Sequence, residues 1–225
     1  MSKKKQVRRI FDSIAHRYDL LNHLLSVGID FYWRKKALKL TGISSNTVLL
    51  DVACGTGDFS KAAMKIGVDN IFGADLSINM LKLSNKKIPN LKGLVQSVGE
   101  ALPFKPNSFT NITVAFGVRN FYDISEAFSS FHNVLSSKGK VTILEFRLPT
   151  NKIIKAIYLF YFNKILPLIG KLISKDKEAY NYLPESVQEF DTKIDLVELL
   201  KKANFNDVKK HSLTFGIVQV VIASK

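Results

Sequence analysis

The chain has 225 residues, of which 46% are hydrophobic and 23% charged; that suits one domain with a sizeable core and would be cramped for two. The single cysteine, Cys54, excludes an internal disulfide and argues against a cysteine-rich metal site, and MSKKKQVRRIFDS lacks the apolar run of a signal peptide, so a cytoplasmic protein is expected. The formal charge of +14 leaves open solvated lysines, attraction to an anionic lipid or substrate, and nucleic-acid binding; no zinc-finger spacing or RNA-binding aromatic motif supports the last, so no nucleic-acid partner is expected.

Residues 1–45 read as a basic helical cap. Leu20, Leu21, Leu24 and Leu25 recur at helical spacing, Gly28 breaks the helix, and a second one is predicted from about Asp30 to Leu40. From residue 46 short apolar runs alternate with helical ones. NTVLLDVA, VDNIFGAD, LKGLVQSV, SFTNITVAFGV and KVTILEF read as strands; DFSKAAMKIG, SINMLKLSNKKI and ISEAFSSFHNVLSSKG read as helices, the last reaching Gly139. The alternation predicts a parallel sheet covered on both faces, with a core over 46–148. Residues 149–190 form an insert. Its apolar and basic run at 150–177, interrupted by Pro167 and Gly170, is too broken and too charged to span a membrane. It reads as a lid over the site or as a surface that touches lipid. AYNYLPESVQEF follows as a loop, then the helix DTKIDLVELLKKANF. DVKKHSLTFG and IVQVVIASK follow as two strands antiparallel to each other, so that helix and hairpin close the chain over 191–225.

The chemistry concentrates in LLDVACGTGDFS. Asp51 ends the first strand, Gly55 and Gly57 permit a tight turn and close approach of a ligand to the backbone, and Asp58 is placed to cap the next helix. A phosphate does not suit this turn. There is no Lys-Ser/Thr after the glycines and no G-x-G-x-x-G, and Asp58 would repel a pyrophosphate at the helix start. A cationic ligand without phosphate, S-adenosylmethionine, fits better. Asp75 ends the second strand 24 residues beyond Asp51, where an acid can accept both ribose hydroxyls; its alternative role is a helix cap before SINML.

These stretches, with FDSIAHRYDLLNHLLSVGIDFYWR, ADLSINML, ALPFKPNSF, AFGVRNFYD, YLPES and LTFGIVQVVIASK, resemble the UbiE/MenG family of quinone-biosynthesis C-methyltransferases from Phe11 to Lys225. The resemblance implies a class I S-adenosylmethionine-dependent methyltransferase fold, a Rossmann-like α/β arrangement with a seven-stranded sheet and a reversed last hairpin. It implies S-adenosyl-L-methionine as cofactor, held by Asp51, Gly55, Thr56, Gly57, Asp75, Leu76, Val98 and Gly99. Its acceptor is a polyprenylated quinol, demethylmenaquinol first, with the ubiquinone precursor or another phenol as alternatives. A module of the same fold that binds RNA or protein without catalysis is the distant alternative. The sequence departs from the pattern at SVGEALPF: many members carry Asp or Asn where Val98 stands, and valine cannot accept a hydrogen bond from the adenine amine.

Methylation at carbon needs an electron-rich ring, so the reduced quinol and not the quinone is the expected acceptor. Arg119 and Asn120, just past the fourth strand, are the candidates to clamp a phenolate or orient a water; a surface salt bridge and a helix cap are their alternatives. Tyr18 in the cap joins them as a catalytic candidate, and Tyr182 joins Arg119 as a substrate contact. His16, His23, His132 and His211 lack metal-ligand spacing, and no metal is expected. An isoprenoid tail and the basic insert point to peripheral contact with an anionic membrane at its inner face, and the fold leaves a homodimer open.

Overall fold

A computed structural model describes residues 3–165 and 177–225. The cap comprises α1 (Lys3–Ile14), a 3-10 turn (Ala15–Arg17), α2 (Tyr18–Leu25) and α3 (Ile29–Thr41). The sequence predicts one helix before Gly28, and the structure breaks it again at Ala15–Arg17. Gly28 and Gly42 flank α3 in the left-handed conformation; the Gly28 amide bonds back to His23 and closes α2, and Gly42 caps the end of α3.

The core alternates β1 (Val48–Val52), α4 (Asp58–Met64), β2 (Asn70–Asp75), α5 (Ile78–Lys87), β3 (Gly93–Gln96), β4 (Phe109–Ala115), α6 (Ile124–Val134) and β5 (Leu135–Phe146). After α7 (Lys152–Phe160) a π turn covers Tyr161–Ile165. Then come α8 (Lys177–Lys193), α9 (Leu196–Lys202), β6 (Asn206–Leu213) and β7 (Val218–Ser224). The seven strands lie in the order β3-β2-β1-β4-β5-β7-β6. The first five are parallel, and β7 runs antiparallel to both β5 and β6, so the expected seven strands and reversed hairpin are present.

β1 is buried on both faces, which is why it reads as a continuous apolar run. Leu50 packs with Val52, Ile112, Phe128 and Phe131 on the α6 side. Leu49, its neighbour, points the other way into a layer of Trp33, Leu38, Phe59 and Val220 beneath α3 and α4. Each such phenylalanine contributes about 2–3 kcal/mol on burial.

Two boundaries differ from the sequence reading. The helix expected to reach Gly139 stops at Val134, because Leu135 already pairs with Phe109 in the sheet. YLPES is not a loop; it lies inside α8, with Pro184 in the helix interior. Burial of Val187 and Phe190 on one side of that helix outweighs proline's local cost of about 3 kcal/mol. The stretch expected as one helix from Asp191 is split, with Asp195 capping α9 through Val197 and Glu198. Pro167 and Gly170 lie outside the described residues.

Candidate functional site

β1 and β4 adjoin where the strand order reverses, the place at which an open α/β sheet presents a crevice at its carboxyl ends. Both strands leave the sheet through non-glycine residues in the left-handed region, Ala53 (φ 53) and Phe116 (φ 57). Such a conformation costs about 1–3 kcal/mol and persists only where the surroundings hold it. Gly117 must be glycine here, because a Cβ would lie 2.6 Å from that of Ala53. Beside this crevice lie two cavities that share Phe11, Tyr18 and Phe116 as common walls.

The first cavity, of about 500 Å³, is floored by Ala53 and Gly55 and lined by Asp75, Leu76, Ser97, Val98 and Gly99. Asp75 accepts hydrogen bonds from the amides of Gly55 and Ser77, both at 2.8 Å. That uses two of the roughly four lone-pair positions of a carboxylate and leaves the others for a ligand. Burial pushes its pKa up to about 6 despite those amides. Asp75 is not the cap of α5: Ser77 is, accepting from Met80. Gly55 is in the left-handed region, and a Cβ there would meet the Tyr18 ring at 3.6 Å. The Ser97 hydroxyl is buried without a hydrogen-bond partner. An acid with spare acceptors, a bare backbone floor, apolar walls and an unpartnered hydroxyl fit the ribose and adenine of S-adenosylmethionine.

The second cavity, of about 280 Å³, is aromatic: Trp33, Phe116, Phe146, Tyr158, Phe162 and Tyr182 contribute to its walls. Phe116 and Phe146 stack at 4.4 Å. Its charged lining is Asp30, Arg34 and Arg119, and Arg119 lies over the Phe146 ring at 5.8 Å. The Arg119 guanidinium pairs with the fully buried Glu145 at 2.8 Å, donates to the Phe116 carbonyl and reaches Ser186 at 3.3 Å. Arg119 is therefore a fixed, charge-compensated donor and not a surface salt bridge. Tyr182 donates to Asn120 at 2.7 Å, tying the wall of one cavity to that of the other. Asn120 does not cap α6, whose first turn is capped by Asp123. Burial raises the phenol pKa values of Tyr18 and Tyr182.

Asp75, Gly55, Leu76, Val98, Gly99 and Asn120 thus face the larger cavity, Arg119 and Tyr182 the aromatic one, and Tyr18 both. The other three named residues lie outside both linings. Asp51 is buried beneath the turn, where one oxygen accepts from the Ser60 amide and hydroxyl and the other from Thr113; burial raises its pKa to about 6. Gly57 shapes the turn at φ 90. Thr56 donates to Asp19, and Lys87 bonds Asp19 at 2.8 Å and Thr56 at 3.3 Å. Asp58 makes no cap bond; it pairs with Lys87, and His23 and Arg34 approach it at 3.6 and 3.8 Å. This charged network, which ties the cap to the glycine turn, escaped the sequence reading because its members are up to 68 residues apart. Glu145 and Tyr158 were missed as well, each hidden in an apolar run.

The sequence model of the ubiE/COQ5 methyltransferase family matches residues 1–225. A demethylmenaquinone methyltransferase of Chlorobaculum tepidum is 40% identical, over 99% of this chain and 93% of the relative. A ubiquinone/menaquinone biosynthesis C-methyltransferase of Geotalea uraniireducens is 39% identical, over 99% and 97%. Among solved structures, an S-adenosylmethionine-dependent methyltransferase of Thermotoga maritima superposes with a TM-score of 0.68 at 17% identity, covering 96% of this chain and 99% of that one. Phosphoethanolamine N-methyltransferase 2 of Haemonchus contortus superposes with a TM-score of 0.61 at 16% identity, covering 85% and 52%. At such identities these two similarities speak to the fold alone.

Proposed function

The chain belongs to the ubiE/COQ5 methyltransferase family, with S-adenosyl-L-methionine as its cofactor, and from that premise we propose that it methylates a ring carbon of demethylmenaquinol. The observation that carries this reading is the pair of adjoining cavities, one built for a nucleoside and one aromatic, meeting at Tyr18 and Phe116. When bound, the cofactor supplies an electrophilic methyl group on a cationic sulfur. Asp75 accepts from the ribose hydroxyls, while Val98 and Gly99 border the adenine. Tyr18 stands at the seam, its ring over Gly55, and with Phe11 and Phe116 it screens the reacting carbon from water. Asn120, held by Tyr182, and Arg119, held by Glu145, present fixed donors where a ring oxygen gains charge.

A surface reading follows from the acceptor's tail. Ile153, Ile157 and Phe160 are exposed at i, i+4, i+7 along α7, and Leu20, Leu24 and Val27 are exposed on the cap at a similar spacing. Val27 and Tyr161 also line the aromatic cavity. Apolar stripes beside the opening, on a chain of charge +14, suit peripheral contact with an anionic bilayer that holds the tail. Among the described residues no helix is long and apolar enough to cross a membrane.

The acceptor ring is tested by incubating the purified chain with S-adenosylmethionine and either reduced demethylmenaquinone or the reduced ubiquinone precursor. Preferential methylation of the naphthoquinol supports the proposal. Faster turnover of the benzoquinol would replace it with the ubiquinone reaction, and both reactions at similar rates would make the protein a dual-pathway enzyme.

A further inference from the structure

We propose that the Tyr158 hydroxyl donates a hydrogen bond to a ring oxygen of the methyl acceptor, so that Tyr158 orients the acceptor within the aromatic cavity. The inference rests on reading that cavity as the acceptor site. Tyr158 lies on α7 and is 6% exposed, with its ring 4.4 Å from that of Phe162. It lines the cavity, and its hydroxyl is buried without a hydrogen-bond partner. A phenylalanine would fill the same space without the cost of burying an unpaired polar group. The hydroxyl therefore makes physical sense when its partner arrives with the ligand.

Other hydroxyls around the cavity are engaged. Tyr182 donates to Asn120, Ser26 to Asp30, and Thr214 accepts from Trp33. Tyr18 bonds Asn22. Arg119 is held in place by Glu145, Phe116 and Ser186. Glu145 offsets its charge, so Tyr158 adds a second, neutral donor beside the one that Arg119 presents. The charged groups facing Tyr158 are Arg119, Glu145 and Asp191, and burial raises its phenol pKa strongly. The side chain stays a protonated donor across the working range of pH. In the transfer the C–CH3 bond forms as the S–CH3 bond breaks, S-adenosylhomocysteine leaves, the ring hydroxyl gives its proton to water, and the methylated carbon then loses its hydrogen to water as the ring regains aromaticity. The ring oxygen is a stronger acceptor once its proton has gone to water, so a hydrogen bond to it acts on turnover as well as on binding.

The test is Tyr158→Phe in the full chain, with three readouts. The expected result is unchanged affinity for S-adenosylmethionine by calorimetry, an equal or higher melting temperature, and kcat/KM for the reduced acceptor lower by about 10- to 100-fold. A kcat/KM within twofold of the parent would overturn the proposal. So would a matching loss of S-adenosylmethionine affinity or a melting temperature several degrees lower, either of which marks a structural role. A parent protein that binds S-adenosylmethionine but leaves the quinol unmethylated would overturn the acceptor reading itself, and Tyr158's role with it.

Discussion

Asp75→Asn isolates the nucleoside reading. In the parent, each carboxylate oxygen accepts one backbone amide at 2.8 Å, and each keeps an acceptor position for a ribose hydroxyl. The amide side chain keeps one oxygen. Its NH2 must face either the Gly55 or the Ser77 N–H, which costs about 1–3 kcal/mol of stability, and it meets a ribose hydroxyl as a neutral donor. Losing one hydrogen bond to a charged acceptor costs about 1.5–3 kcal/mol of binding, or roughly 10- to 150-fold in Kd for S-adenosylmethionine. The pH dependence separates this from a disordered turn. Asp75 titrates near pH 6 because burial disfavours its charge, with Asp12 raising it further. The ligand selects the ionised form, so affinity in the parent falls about tenfold between pH 7 and pH 5. In Asp75→Asn that slope disappears. Folding stability runs the other way. Asp51 and Asp75 are both raised above 3.8, so their favourable contribution is full below about pH 4 and is lost as pH rises through about 6. Calorimetric titration at pH 5, 6 and 7 measures the binding side. Retention of affinity within threefold in the variant, with the parent's slope intact, would refute the assignment of Asp75 to the ribose.

Arg119→Ala strands Glu145, which is fully buried, and is expected to cost about 3–5 kcal/mol, seen as a melting temperature about 10 °C lower; adding Glu145→Gln recovers part of the stability but not the turnover, and recovery of turnover would make the pair purely structural. Val98→Asp provides the missing acceptor for the adenine amine and is expected to tighten S-adenosylmethionine about 3- to 10-fold by calorimetry; no gain means that the amine is already satisfied. Ile153→Glu with Ile157→Glu places two charges on the exposed stripe of α7 and is expected to abolish sedimentation with anionic vesicles while sparing turnover of a short-chain acceptor in detergent; undiminished sedimentation would remove α7 from the membrane contact.

The sheet was legible because β1, β2, β4 and the apolar end of β5 are short apolar runs punctuated by glycines and acids, and the last hairpin because β7 is rich in β-branched apolar residues and the glycine-containing turn at Thr214–Gly216 separates it from β6. Asp75 and Gly55 could be placed for the same reason: the residue that ends a strand and the turn that follows it are fixed by local chain geometry. The end of α6 was misjudged because residues 135–139 carry no helix-stopping residue before Gly139, and pairing with β4 decides the matter from elsewhere in the chain. Thr56 was expected at the cofactor, whereas its hydroxyl turns to Asp19, 37 residues earlier. Pairings of that kind depend on how the cap lies over the core, and local spacing does not record them. Tyr158 carries no signal in KIIKAIYLF, where an aromatic residue on an apolar helix reads as packing; only its unpartnered hydroxyl distinguishes it.

The most direct measurement follows a labelled methyl group from S-adenosylmethionine into demethylmenaquinone presented to the pure protein either reduced or oxidised. Label bound to ring carbon with the quinol, and none with the quinone, is the predicted result. Label on oxygen, equal labelling of the two redox forms, or no labelling of the quinol by protein that binds the donor would contradict the account.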